Sequence, residues 1–363
     1  MRSIFASATT LVHFAMSEAT RSRKTSALVG RAMLPMPRNF SIMAGSARMA
    51  AMLFAGAVCL FAGGALAADK LKVGKSVPFA WMFQVIDVGT EVGIFAKHNI
   101  ELEVSSFAGD ARMQQALTAG SIEIGLGGGP GIGFMAKGVP AKAIAAFANP
   151  PKSIAVVVPF DSPYKALSEM KGKKFAVTTA GSLTDWLIRR AAVAQGWKPD
   201  DVVIVPLGGL ETFLAALKTK QVDALMLATE VTYSMEDKKE ARILETMDRY
   251  TSKFHTHLLF ARDDLIAGKP DLVQRFLKAF FETIAFIKQN KAKTVEVTAK
   301  SLRLPPKDME RTWEGQIDMF NDDGSFDPAA MAVLRASLVE MGILDAPPKD
   351  EEVLYTKFLP VKP

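Results

Sequence analysis

The chain has 363 residues, with 44 basic and 38 acidic side chains, and its excess of positive charge sits at one end. Seven of the basic residues but only one acid fall in the first 67, leaving 37 of each beyond, a balance that argues against nucleic-acid or polybasic membrane contacts. The single cysteine, Cys59, lies in the same stretch, so a chain cut after Ala67 has no disulfide, no thiolate nucleophile and no cysteine-ligated zinc site.

Arg48 precedes an apolar run over 49–66 that closes on Ala65-Leu66-Ala67, the small-x-small pattern a signal peptidase cuts. We therefore expect a leader over 1–67, cleavage after Ala67 and a mature protein in the periplasm. Met43 would itself begin a leader of ordinary length, so translation could start there. The run is rich in Ala and Gly and no basic stop-transfer cluster follows, which favours cleavage over anchoring. Bulky Val58 before Cys59, with apolar sequence after it, argues against a lipid anchor.

Beyond the leader, short apolar runs alternate with amphipathic stretches, the pattern of βαβ units around mostly parallel sheets. Residues 71–74 open as a strand, and 83–95 reads as one helix with Val85, Val88, Val92 and Phe95 at helical spacing. Strand 101–107, helix 113–119 stopped by Gly120, and strands 122–126 and 143–147 follow. A run at 154–158 comes next, then strand 174–177, helix 183–195 ended by Gly196, strand 202–205, helix 213–217 and strand 222–227. The run 258–261 could return the chain to the first sheet. Helix 271–288 carries Leu272, Phe276, Phe280, Ile284 and Ile287 on one stripe. Two halves that each repeat strand, helix, strand predict two similar α/β lobes with a ligand cleft between them.

Five segments carry a resemblance. They are Gly93-Ile94-Phe95-Ala96-Lys97-His98-Asn99-Ile100-Glu101-Leu102-Glu103-Val104, Gln115-Ala116-Leu117-Thr118-Ala119-Gly120-Ser121-Ile122-Glu123-Ile124-Gly125, the stretch 167–177, the stretch 216–224 and the stretch 269–279. In this order they resemble the nitrate/sulfonate/taurine-type substrate-binding proteins of ATP-binding-cassette importers. The resemblance implies a type II periplasmic binding protein fold, two α/β lobes joined by two crossings placed near Val158 and Leu258. Lobe 1 is then 68–158 with 259–363, and lobe 2 is 159–258. It also implies a small-molecule solute, a membrane permease and a cytoplasmic ATPase as partners, a monomer, and no cofactor.

In such a fold the ligand meets loops at the C-terminal ends of strands. Phe79 and Trp81 follow the opening strand, either as ligand-facing rings or as core aromatics. Gly128 and Gly129, in a glycine run before Pro130, could bring backbone amides close to an anion or simply turn strand into helix. Thr179, Ser182, Leu183 and Thr184 hold the matching place in the second lobe, where Ser182 with Asp185 also resembles a capping box. A ligand anion could share the amides of Leu183 and Thr184. Phe147, Asn149, Glu230 and Tyr233 end strands near the crossings. Glu230 matches an acidic position of the family, although Val231 stands where a proline commonly follows. Lys75, Lys152 and Arg112 are the nearest cations, outside these loops. The aromatic set leans toward a ring-containing or alkyl solute with at most one anionic group.

Catalytic signals are thin, and no enzyme is expected. There is no G-x-S-x-G, H-E-x-x-H or P-loop. His255 and His257 would share a face within a strand, as a metal pair or as a structural pair, with no third ligand nearby. The alternatives are an enzyme on the same fold, of the pyrimidine-precursor or chorismate-processing kind, or a ligand-sensing lobe for a membrane receptor.

Overall fold

The structure, a computed structural model, describes residues 67–362. The expected leader and its Met43 start lie outside the described residues, apart from Ala67 itself. Ten strands are described: β1 (Asp69–Lys75), β2 (Ile100–Ser106), β3 (Ile124–Gly128), β4 (Ala141–Ala148), β5 (Ile154–Pro159), β6 (Lys174–Val177), β7 (Val203–Pro206), β8 (Ala224–Ala228), β9 (Ala241–Thr246) and β10 (His257–Arg262). They form two five-stranded sheets of one pattern, β2-β1-β3-β10-β4 and β7-β6-β8-β5-β9. In each, the first three strands run parallel and the fourth is antiparallel to both its neighbours. That fourth strand is the one by which the chain enters from the other lobe.

The run at 258–261 thus returns the chain to the first sheet, as its apolar character suggested. The first crossing falls earlier than Val158, between Ala148 and Ile154, because Ile154–Pro159 pairs with β8 and β9. β3 and β8 are buried along their whole length, which is why both read as unbroken apolar runs instead of alternating ones.

The single helix expected over 83–95 is three pieces: a 3₁₀ turn Trp81–Gln84, a helix Val85–Glu91 and a short helix Ile94–Lys97. Gly93 separates the last two at φ 77°, a left-handed value that a β-carbon resists. The stripe on helix Pro270–Gln289 is buried as patterned, with Phe276 stacked on Phe95 at 5.9 Å between ring centres. Helix Thr229–Asp237 follows β8, and helices Lys291–Leu302, Pro306–Gln316 and Pro328–Glu340 lie in the C-terminal part.

One hydrophobic cluster joins the lobes. It runs from Met113, Leu117 and Ile132 in the first to Phe175, Trp186 and Leu187 in the second, and takes in Leu334 and Leu338 near the C-terminus. Trp186 stacks on Phe254 at 4.2 Å and donates its indole N–H to Ser337 Oγ at 2.7 Å. Helix Pro306–Gln316 packs on helix Thr229–Asp237 of the second lobe, so the C-terminal part touches both lobes and does not belong to lobe 1 alone. Among the described residues, no helix is long and apolar enough to cross a membrane.

Candidate functional site

Where the strand ends of the two sheets face each other lies a small cavity of about 40 Å³. Both lobes line it: Ser76, Phe79, Phe83, Asp110, Gly128 and His257 from the first, Ile154, Thr178, Leu183, Thr184 and Met226 from the second. Pockets that hold organic ligands usually measure roughly 300–1,000 Å³. The lobes are thus closed on each other, and an organic solute enters only if they part.

Asp110, 4 % exposed, is the first residue of helix Asp110–Thr118 and, among the described residues, the only acidic or basic side chain lining the cavity besides His257. Its Oδ1 accepts from the Gly128 amide at 2.9 Å, and its Oδ2 accepts from the Leu183 amide at 3.0 Å. Leu183 begins a twelve-residue helix of the opposite lobe, whose free amides and dipole favour an anion. Asp110 supplies that anion from within the protein. Burial pushes its carboxyl above the ordinary range, and the hydrogen bonds from Gly128, Leu183 and Ser76 pull part of the way back.

A second carboxylate makes the reverse connection. Glu230, 1 % exposed, stands in the first turn of the second lobe's helix Thr229–Asp237. Its Oε1 accepts from the Trp81 amide at 2.6 Å, and Gln316 Nε2 donates to its Oε2 at 3.2 Å. Burial raises this carboxyl too. Each lobe thereby sends a carboxylate to a helix start of the other.

His257, 3 % exposed, opens β10 and lies between Phe83, edge-on at 4.8 Å, and Phe147, stacked at 5.6 Å. Neither ring nitrogen has a partner in good hydrogen-bond geometry. Burial lowers its pKa to about 3, an effect the nearby Gly127 backbone only softens, so the ring is neutral at physiological pH. His255 sits before the strand, in other surroundings. Its Nε2 accepts from the Asp327 amide at 2.9 Å, and its Nδ1 meets the Asn149 side-chain amide at 2.6 Å. The two histidines do not form a pair, and no metal-holding group of His, Cys, Asp and Glu occurs among the described residues.

Of the residues singled out from sequence, Phe79, Gly128, Leu183 and Thr184 line the cavity. Ser182 caps its helix, with Oγ accepting from Asp185 N at 3.4 Å, and it shares a triangle of hydroxyls with Thr178 and Thr184 at 2.9–3.1 Å. Asp185 closes the cap one residue earlier than a standard box, accepting from Gly181 N at 2.8 Å. Thr179 lies at the seam between lobes, beside Gly109 and Ala111. Gly129 presses so closely on the His255 carbonyl that an added β-carbon would stand 2.1 Å from its oxygen.

The other aromatics lie elsewhere. Trp81 is 2 % exposed and packs on Phe320, Phe147 fills the space behind His257, and Tyr233 is covered by the Arg311 guanidinium at 3.6 Å. Asn149 serves the crossing through His255. Among the cations, Lys75 pairs with Asp87, Lys152 with Asp318, and Arg112 reaches Gln115, so none faces the cavity. Asp110 and His257 went unnamed as cavity residues, although the position of Asp110 at a helix start after β2 was a usable signal.

A family model described as NMT1/THI5 like matches residues 83–293. The chain belongs to the NMT1/THI5-like family. A candidate binding protein of Brucella abortus is 26% identical over 232 residues, covering 63% of this chain and 71% of the relative. The alkanesulfonate-binding protein SsuA of Xanthomonas axonopodis, solved with MOPS, superposes with a TM-score of 0.67 at 18% identity, covering 78% of this chain and 96% of that one. The desulfurization enzyme DSZB has the same fold, with a TM-score of 0.56 at 17% identity over 80% and 97% of the chains. These likenesses establish the periplasmic-binding-protein fold expected from the sequence.

Proposed function

We propose that the protein is the periplasmic solute-binding component of an ATP-binding-cassette importer. It captures a small organic solute between its lobes as a monomer and delivers it to a membrane permease driven by a cytoplasmic ATPase. The observation that carries this reading is the interlobe cavity, lined by backbone amides, hydroxyls and rings from both sheets at the ends of their strands. Strand ends at the junction of two α/β units are where open sheets bind ligands. The Brucella relative and the Xanthomonas structure, both named for binding, support it. Export with cleavage after Ala67 belongs to the same proposal.

The cycle follows from the geometry. A solute enters when the lobes part, and the lobes then close with part of the binding free energy spent on closure. A thermal-shift panel of sulfonates, nitrate, taurine, aromatic carboxylates and pyrimidines tests the reading, since a ligand raises stability according to its concentration over its Kd. One class giving a concentration-dependent shift supports it, and a folded protein silent to all of them counts against it. The enzyme reading draws on the neutral, unpartnered His257 and on the fold shared with DSZB. Chemical change in a recovered solute would favour it over transport.

A further inference from the structure

Resting on the solute-binding reading, we infer that Asp110 sets the charge preference of the cleft: it takes a flat, uncharged or cationic solute bearing N–H donors and turns away sulfonates and carboxylates.

Two amides, one opening the Leu183–Ala194 helix and one opening the Trp81–Gln84 turn, are bonded by the protein's own carboxylates. Asp110 takes the Leu183 amide at 3.0 Å and Glu230 takes the Trp81 amide at 2.6 Å. Among the described residues no lysine or arginine lines the cavity, and buried Lys75 turns to Asp87. An anionic group entering here meets a carboxyl group whose two oxygens already accept the Gly128 and Leu183 amides, with no counter-ion lining the cavity and in a low-dielectric setting where repulsion between anions is strong. When the lobes part, Asp110 is still held by Gly128 of its own lobe, so it stays in the cleft as an acceptor.

An independent observation points the same way. His257 lines the cavity with neither ring nitrogen in good hydrogen-bond geometry to a partner, the Gly127 backbone being the nearby group, which is costly unless a ligand or water satisfies them. Its neutral ring offers one acceptor and one donor. Phe79 and Phe83 border the same space and suit a planar solute, whose N–H groups would be divided between Asp110 and His257.

Benzamidine, benzamide and benzoate share a ring and nearly a shape but carry charges of opposite sign or none, so they isolate the preference. Calorimetric titration into wild type should show benzamidine or benzamide binding about tenfold or more tighter than benzoate. In Asp110→Ala the order should invert, and inorganic sulfate should become a ligand at the freed Leu183 and Gly128 amides. Asp110→Asn should lose the discrimination. If neither variant folds by circular dichroism, the wild-type order alone decides. Wild type that prefers benzoate or binds sulfate, or a charge order unchanged in both variants, overturns the assignment of Asp110 and leaves the cleft as a solute site. Silence from this series while another solute of the panel binds overturns the charge assignment alone. Silence from every solute overturns the binding reading with it.

Discussion

Asp110 and Leu183 belong to different lobes and meet at 3.0 Å, carboxylate to backbone amide, at the start of the helix that should greet an anion. Glu230 meets Trp81 in the opposite direction. These two contacts hold the lobes together around a cavity of about 40 Å³, and opening must break both.

Glu230→Ala leaves the Trp81 amide without an acceptor in a buried site, while Gln316 Nε2 keeps its bond to Thr229 Oγ1 at 2.9 Å. Leaving buried donors unpaired costs about 1–3 kcal/mol. Urea unfolding should register a loss of that size, whereas Glu230→Gln, which keeps the shape and one carbonyl oxygen, should stay nearer wild type.

Trp81 is a core residue, packed on Phe320 with its ring buried. Trp81→Ala should lower stability by about 3–5 kcal/mol, the range for deleting a core aromatic. Denaturant midpoints check this, and a stable variant with weakened solute binding would assign the ring to the cleft instead.

Gly128 brings the first lobe's backbone against the second. A β-carbon there would stand 2.6 Å from Leu183 Cβ, closer than packed atoms come. Gly128→Ala should fold normally but hold the lobes apart, seen in small-angle scattering as a larger radius of gyration than wild type.

The buried histidines give the protein an acid-sensitive core. His257 has its pKa lowered to about 3 and His255 to about 4, both by burial, so the unfolded chain takes up protons near 6.5 that the folded one refuses. Stability is complete above about pH 6.5 and falls as pH drops toward these values, by about 1.4 kcal/mol per pH unit for each histidine. Asp110 and Glu230, raised by burial, act oppositely and regain stability as pH falls through their folded values. Unfolding free energies measured from pH 7 to 4.5 for wild type and His257→Phe should therefore diverge, the wild type losing about one histidine's slope more than the variant.

Much of the fold was legible because its strands are locally unambiguous. The buried runs of β3 and β8 and the stripe of helix Pro270–Gln289 announce themselves in one dimension. The 83–95 helix misled because Gly93 breaks a pattern whose spacing continues across it. The first crossing misled because β5 is apolar on either side of the boundary, and pairing, not composition, assigns it to the second sheet. At the site, loop position picked out Phe79, Gly128, Leu183 and Thr184, but whether an aromatic faces solute or core depends on distant partners. Phe320 claims Trp81 and Arg311 claims Tyr233, and neither partner is near in sequence. The place of Asp110 at a helix start is legible, but its partner is not, since that partner is an amide 73 residues away.

Binding of a solute between the lobes is read most directly from the thermal shift of wild type beside Gly128→Ala across one solute panel. The account predicts a solute that raises the wild-type melting temperature with concentration and has little effect on the variant, whose lobes cannot close. A solute that stabilises both proteins equally, or no response from wild type to any solute, would contradict it.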